Sequence, residues 1–566
     1  MLSESSIVKT EKKIYDFLPH EPETMGITLF IIGMAAYYLW RMFAITPQYD
    51  ELYTYYTFIS KGPFYSAIHW PLPNNHVGYS VLSGVLNYFG NSYIGLRGVS
   101  FVCAVSNLIL IYRISRRYFS HYVPLAATAL YASMQVVNEY SVQGRGYTLA
   151  TTCYLIAIYI IGIMCNAGET KTRYFVMFGI SLVLGLYTVP SSVYWVVPTS
   201  FAAALYLFIN GLRIRKVYKK ISDNMYFRTL KTLIITGVLA ALATTFLYTI
   251  IWLAIGSNLL IKDETSAFYG LSHGTALVRG PVQCVQTGID YMLNQPYIQS
   301  LDPAEFKANY FNWCINLLNY MLPGVPYVLA FFICVSLVVL ITGFFRHFEY
   351  SITVINLLIV SNVVLTQLML IYQHKLPYLR VFGYGCVTIS LAICGILEKS
   401  INVLIRIYNS KETDGVNLKA VASHREHETI VHKEKSISWI GLFIPVIIIG
   451  ILFFVRFFDP SFSCQLGERE NDIFNTMLVA DIPNRKNIAV IDCDQQYLLK
   501  FGWGIDCTKT DVTDADCVII DKNLFEPGYS GGDFWKFYQT YETIDWEYID
   551  SMHAQYETDR LILYTK

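Results

Sequence analysis

The sequence predicts an all-α polytopic membrane protein of about eleven transmembrane helices, followed by a small extracytoplasmic α/β domain at the C-terminus. Three observations carry that expectation. Charged residues make up only 15 % of the chain against 54 % hydrophobic, where a soluble globular protein carries roughly 25 % charged residues. Apolar runs long enough to cross a bilayer recur along most of the 566 residues. The final stretch, 458–566, is instead polar and holds short strand-like runs.

A helix needs about 20 mainly apolar residues to cross a bilayer, because no backbone N–H or C=O can stay unpaired in hydrocarbon. Segments that meet or nearly meet this demand run at 25–45, 94–112, 122–139, 146–165, 174–190, 192–210, 231–256, 323–345, 350–371, 379–397 and 438–457. Residues 1–24 are polar, contain Lys9, Lys12 and Lys13, and lack a small-residue cleavage pattern, so they read as a cytoplasmic segment and not as a signal peptide. A further apolar stretch, 76–90, is short and contains Asn87. The positive-inside rule decides its status. If it lies on the outer surface, then Lys9–Lys13, Arg113, Arg116 and Arg117, Lys171 and Arg173, the Arg213–Lys220 cluster, Arg346 and the Lys399–Lys435 stretch all face the cytoplasm. If it crosses, the Arg116/Arg117 and Arg213–Lys220 clusters move outside. The expectation is therefore a surface helix, a cytoplasmic N-terminus and an external C-terminal domain in a plasma (inner) membrane.

The resulting organisation is a transmembrane body over 25–397, a cytoplasmic linker 398–437 that reads as disordered, a last span 438–457, and the domain 458–566. External loops at 46–93, 257–322 and 372–378 are the candidates for building a site. In the terminal domain, Asn487–Asp492 and Asp516–Ile520 read as strands, with helix-like stretches near 468–480 and 494–501. Turn signals follow at Pro527-Gly528 and Gly531-Gly532. Cys464, Cys493, Cys507 and Cys517 allow three pairings in an oxidising compartment, with buried thiols as the alternative.

Lys plus Arg and Asp plus Glu both number 42, so no global basic field points to nucleic acid. The internal loops are short and basic, which membrane topology alone explains. Gly144 and Gly146, like Gly531 and Gly532, lack a phosphate-loop context, and neither pair reads as a nucleotide site.

Polar residues concentrate where spans meet the outer interface. Thr46-Pro47-Gln48-Tyr49-Asp50-Glu51-Leu52-Tyr53 places two adjacent carboxylates directly after the first span. Trp70-Pro71-Leu72-Pro73-Asn74-Asn75-His76-Val77-Gly78-Tyr79 then brings prolines, two Asn and one His to the start of the 76–90 segment. Such groups are costly at that depth unless they are paired or in use.

These stretches resemble the multi-pass glycosyltransferases of the C-type fold, specifically the relatives of protein O-mannosyltransferases and aminoarabinose transferases that use polyprenyl-phosphate sugars. The acidic residue that opens the family's first external loop matches Asp50, with Glu51 beside it. Asn74-Asn75-His76 stands where a His-Pro-Pro-like element begins a juxtamembrane helix, although Val77 follows and no proline pair is present. Gly90 and Arg97 match a Gly-to-Arg spacing that leads into the second span. Gln143-Gly144-Arg145-Gly146-Tyr147 resembles an Ala-Arg-x-Tyr element, and Leu376-Pro377-Tyr378-Leu379-Arg380 resembles a late loop near the phosphate-binding region. The likeness covers the first 200 residues and the 370s. It reaches neither 257–322 nor the terminal domain.

The chemistry such a family performs needs these residue types. A sugar on a polyprenyl phosphate would present its headgroup at the outer interface, with its tail among helices and membrane lipids. A carboxylate orients an acceptor hydroxyl and takes its proton; Asp50 is the candidate base, with inversion expected from a single displacement. The leaving phosphate needs positive donors, for which Arg380 and Arg145 are the first candidates and Lys375 and His374 the second. Tyr49, Asn74, Asn75, His76 and Tyr147 would line the loop and acceptor region. Glu51 is either a second catalytic carboxylate, an orienter, or a metal ligand with His76. No organic cofactor is called for, and a divalent metal ion bridging Glu51, His76 and phosphate is a chemistry that these ligand types allow. The acceptor could be a glycan, a lipid or a protein, and the terminal domain could hold it or dock an envelope-assembly partner. A transporter or flippase of a lipid-linked substrate is the alternative. It would favour internal repeats and mid-membrane charges, neither of which stands out here.

Overall fold

The computed structural model describes residues 21–69, 75–120, 122–166, 171–215, 223–255, 300–346, 353–413, 468–506, 511–525 and 541–566, with short pieces near 278–282 and 444–456. Among these residues, eight helices are long and apolar enough to cross a membrane. They are Pro22–Ala44, Ser92–Tyr118, Tyr147–Cys165, Pro190–Arg213, Met225–Tyr248, Pro326–Phe344, Val354–Gln373 and Gly385–Ile405. Val123–Ser133 and Thr172–Thr188 are shorter apolar helices packed in the same body. The expected span at 438–457 falls largely outside the described residues, as do Asn74, Cys464, Cys507 and the turn signals near 527–532.

Two of the expected elements differ in the structure for local reasons, and a third, the 76–90 run, keeps the short length expected of it. The 122–139 run is two helices, Val123–Ser133 and Gln135–Tyr140, joined through an extended Met134. The carbonyl of Ser133, released from helical pairing at the break, accepts a bond from Arg456 Nε at 3.1 Å, which answers the usual demand of a buried helix end. The 76–90 run forms a ten-residue helix, Val77–Leu86. At 1.5 Å per residue it is about 15 Å long, half the hydrocarbon thickness, so it is too short to span. Finally, the 257–322 region contains a 19-residue helix, Pro303–Met321, started by proline in its first turn and by the Asp302 side chain, which accepts from the Ala304 amide at 3.1 Å. Lys307, Asn309, Asn312, Asn316 and Asn319 interrupt its apolar positions, so the sequence carries no span signal there.

The helix starting at Gly385 continues to Thr413, so the first part of the 398–437 stretch is helical. The terminal domain is a four-stranded sheet in the order β1-β2-β4-β3. β1 (Ile488–Ala489) pairs parallel with β2 (Cys517–Asp521), and β4 (Leu561–Thr565) pairs antiparallel with both β2 and β3 (His553–Glu557). β2 is buried on both faces, which is why its sequence is a continuous apolar run; β4 alternates and β3 is an exposed edge. The helices Glu468–Val479 and Cys493–Trp503 cover one face. Cys517 is a buried free thiol within the sheet.

This domain sits directly on the segment that follows the first long helix. Leu52, fully buried, joins the core formed by Ile473, Met477, Leu498, Ile519 and Leu563. Tyr56 stacks on Tyr497 with ring centroids 5.5 Å apart and planes 7° from parallel. The loop that carries the two carboxylates is thus held between the membrane body and the terminal domain.

Candidate active site

A nine-residue helix, Tyr49–Thr57, starts almost as soon as the first span ends. Its start is reinforced from within, since the Gln48 amide donates to Glu51 Oε2 at 3.0 Å in a capping box. Glu51 does more than cap. Arg97, from the Ser92–Tyr118 helix, donates Nε to Oε1 and Nη2 to Oε2, each at 2.8 Å, with both side chains 1 % exposed. The Gly144 amide donates to Oε1 at 2.6 Å. Arg97 Nη1 meanwhile donates to the carbonyls of Met42 at 3.1 Å and Ile45 at 2.6 Å, which the end of the first span leaves without helical partners. One buried ion pair therefore ties the first span, the 49–57 helix, the second long helix and the 143–146 loop together.

Adjacent residues on a helix point about 100° apart, and Asp50 faces elsewhere. Its side chain is 37 % exposed and lies between two guanidinium groups: Arg145 Nη2 is 3.8 Å from Oδ2 and Arg380 Nη2 is 3.9 Å from it. Both arginines are held by other contacts. Arg145 Nη1 donates to Thr54 Oγ1 at 3.0 Å and to the Asp50 carbonyl at 3.3 Å. Arg380 Nε donates to Tyr147 Oη at 3.1 Å, and its guanidinium lies 4.8 Å from the Tyr378 ring centroid. Behind Arg380 is a cleft lined by Tyr147, Thr151, Ser192, Trp195 and Tyr384.

His76 is buried under this group. Its Nδ1 accepts from the Gly146 amide at 2.8 Å, and its ring meets Tyr147 edge-on at 4.9 Å. The two glycines make this approach possible. A Cβ on Gly144 would fall 2.4 Å from Leu96 Cδ1, and one on Gly146 would fall 2.9 Å from His76 Cβ. Burial first, then Arg145 and Arg380, hold the imidazole pKa well below its ordinary value. Unfolded, the same ring takes a proton near pH 6.5, so acid favours the unfolded chain. Stability is expected to fall as pH drops below about 6.5, and His76→Gln to flatten that slope. Unfolding midpoints of both proteins between about pH 7.5 and pH 5 read this out; an identical slope in the variant would remove the assignment.

The remaining sequence candidates divide. Tyr147 is part of the cluster. Asn75 is buried and donates to the carbonyls of Ser66 at 3.1 Å and His69 at 2.7 Å, which fixes the loop's shape. Tyr49 packs toward the terminal domain, its ring 5.8 Å from Tyr497. His374 ends the Val354–Gln373 helix in a left-handed conformation, its ring 5.5 Å from Phe306. Lys375 is buried beside it, and burial lowers its ammonium pKa. The two guanidinium groups that flank Asp50 are those of Arg145 and Arg380.

Glu51 and His76 do not form the bridging metal pair expected of them. Both oxygens of Glu51 are committed to Arg97 and to backbone amides, and His76 Nδ1 is committed to Gly146. Among the described residues no group of three or more His, Cys, Asp or Glu side chains is placed to hold an ion. Residues that sequence reasoning missed include Thr54, which holds Arg145, and Glu470 and Asn471 from the terminal domain. Arg97 was noticed only for its spacing from Gly90. Nothing local marks these residues, because each acts on a distant segment.

With the geometry in view, comparison with known proteins is informative. The model of the dolichyl-phosphate-mannose-protein mannosyltransferase family matches residues 77–227. This covers the His76-following helix and the Gln143–Tyr147 loop but stops short of Asp50. No curated protein matches the sequence. ArnT from Cupriavidus metallidurans, solved bound to undecaprenyl phosphate, superposes with a TM-score of 0.51 at 9 % identity, over 95 % of this chain and 98 % of that one. The membrane body has the C-type glycosyltransferase fold. The archaeal oligosaccharyltransferase AglB from Archaeoglobus fulgidus, in complex with an inhibitory peptide and a dolichol-phosphate, aligns with a TM-score of 0.44 at 11 % identity, over 88 % of this chain and 69 % of that one. Within this fold, the Asp50 cluster lies where the segment after the first long helix meets the starts and ends of other long helices.

Proposed function

We propose that this protein is an integral membrane glycosyltransferase. It moves a sugar from a polyprenyl-phosphate donor to a hydroxyl of a glycan, lipid or protein at the extracytoplasmic face. The observation that carries the reading is the carboxylate of Asp50, accessible to solvent and set 3.8 and 3.9 Å from two guanidinium groups. A base and the counter-charge for an anionic leaving group stand side by side at the mouth of the body, as single displacement requires. The likeness in fold to a protein solved with undecaprenyl phosphate supports the donor class, and the family match over 77–227 supports the reaction class.

In the proposed reaction the acceptor hydroxyl donates to Asp50. Its oxygen attacks the anomeric carbon from the face opposite the phosphate, with inversion. The C–O bond to phosphate breaks, its electron pair stays on the phosphate oxygen, and the acceptor proton passes to Asp50. Arg380 and Arg145 neutralise the charge that develops on the phosphate. Their contacts with Asp50 exceed hydrogen-bond length, so they can turn to the donor while keeping their anchors on Tyr147 and Thr54. Glu51 is a positioning residue and takes no proton in this scheme. His76, neutral, holds the Gly146 backbone beneath Tyr147.

The test is release of polyprenyl phosphate from a panel of polyprenyl-phosphate sugars by the purified protein in lipid, with a hydroxyl acceptor present. Arg380→Ala is expected to weaken polyprenyl-phosphate binding by about 10-fold or more, the scale of losing a hydrogen bond to a charged group, and Arg380→Lys to recover only part because the ammonium lacks the planar fork. Equal binding by wild type and Arg380→Ala would remove Arg380 from the donor site. Movement of an intact lipid-linked sugar across the bilayer without bond cleavage would replace the transferase reading with transport.

A further inference from the structure

The first amides of a helix have no partner inside the helix, and a helix only nine residues long loses register easily if they are left open. In the Tyr49–Thr57 helix the first of these amides, and the Thr46 amide three residues before it, are met from the far end of the chain. The Tyr49 amide donates to Glu470 Oε1 at 3.2 Å, and the Thr46 amide donates to Asn471 Oδ1 at 3.3 Å. Glu470 is separated from Tyr49 by 421 positions in sequence. Its carboxylate also sits at the positive end of the helix dipole, where an anion is favoured.

Glu470 and Asn471 are held for this task. They lie in the first turn of the Glu468–Val479 helix, next to Arg469, which fans out to three carboxylates. Arg469 Nη2 meets Asp492 Oδ2 at 2.6 Å, Nε meets Asp521 Oδ2 at 2.9 Å, and Nη1 pairs with Asp494. This joins the start of one helix to the start of the Cys493–Trp503 helix and the end of β2, so the whole domain stands behind the two capping side chains. The same surface clamps the Asp50 helix by its apolar side, through buried Leu52 and the Tyr56–Tyr497 stack. Lys500 Nζ lies 5.2 Å from the Tyr56 ring centroid.

We infer that the terminal domain is a positioning device for Asp50, and that Glu470, with Asn471, is the pair of residues through which it acts. The inference rests on the glycosyl-transfer reading with Asp50 as base. Neither residue touches the donor cluster: their contacts are to backbone amides of residues 46 and 49, immediately before Asp50. Their effect therefore falls on where the base stands and not on how the phosphate is bound.

Full-length Glu470→Ala in lipid is expected to lower kcat by about 10-fold or more, within the range that a 1 Å misplacement of a catalytic group produces, with the KM for the donor changed by less than about twofold. Glu470→Gln keeps an acceptor oxygen and is expected to recover most of the loss. In an Asp50→Asn background, Glu470→Ala should lower the residual rate no further, because the residue acts through Asp50. A loss that persists undiminished in that background overturns the inference, as does full activity in Glu470→Ala. Amide hydrogen exchange over residues 46–57 gives a readout that needs no turnover: it should quicken in Glu470→Ala and return toward wild type in Glu470→Gln. Unchanged exchange overturns the inference whatever the enzyme's substrate proves to be, whereas quickened exchange in a protein that cleaves no polyprenyl-phosphate sugar overturns it by removing the reaction that Asp50 was held to serve.

Discussion

Asp50→Asn is expected to reduce sugar transfer by at least ~10²-fold, the scale of losing a positioned acid–base group, while leaving the unfolding midpoint within about 2 °C of wild type. The two halves of this expectation have separate grounds. Asparagine keeps the size and the acceptor oxygen of the side chain but cannot take a proton from the acceptor hydroxyl. The fold should tolerate the change because Asp50 is 37 % exposed and its nearest ion contacts are at 3.8 and 3.9 Å. Half-exposed pairs of that length contribute about 0–1 kcal/mol at most. Circular dichroism and thermal unfolding in lipid, run beside the polyprenyl-phosphate release assay, read both halves. Undiminished turnover would dismiss Asp50 as the base, and a large fall in the midpoint would recast it as a structural residue.

Glu51→Gln is expected to do the opposite, destabilising the fold by about 3–5 kcal/mol, the usual cost of removing one partner from a buried ion pair. Arg97 would keep its charge at 1 % exposure with no carboxylate to meet it. The Gly144 amide would lose its charged acceptor, and the capping bond to the Gln48 amide would weaken. Any fall in activity should then follow from lost folded protein and a displaced 143–146 loop. Replacing both partners, Glu51→Leu with Arg97→Met, should be milder than Glu51→Gln because no buried charge is stranded. Recovery will be incomplete, since Arg97 also serves the Met42 and Ile45 carbonyls. Denaturant titration of the wild type and both variants measures this. Wild-type stability in Glu51→Gln would show that the pair does not hold the loop.

The contrast between these neighbours shows how far the sequence can be read. Asp50 and Glu51 stand side by side at the end of an apolar run, and that placement marks both as candidates. Nothing in Tyr49-Asp50-Glu51 says which is sequestered. Arg145 and Arg380 were legible because Gln143–Tyr147 and Leu376–Arg380 resemble two elements of the C-type glycosyltransferases and fall on the same predicted face. His374 and Lys375 were the second candidates beside them; the turn after Gln373 brings the His374 ring to Phe306 and buries Lys375. In the terminal domain β2 was readable from its continuous apolar run. β3 and β4 were passed over, since β3 is exposed along its length and β4 alternates.

By itself the sequence determined that the chain is a membrane protein, where most of its long apolar helices lie, that the 76–90 run is too short to span, and that polar residues gather near the ends of those helices. These follow from hydropathy, length and charge asymmetry, all local or additive properties. Only the tertiary structure decided the division of labour at the site. A rotation of about 100° per residue turns Glu51 into the protein, onto an arginine 46 positions away, and leaves Asp50 facing two others. It also decided that the helix bearing Asp50 starts on a side chain 421 positions distant. Such pairings arise where separate segments satisfy each other's buried charges and open amides, and no window of sequence contains both partners.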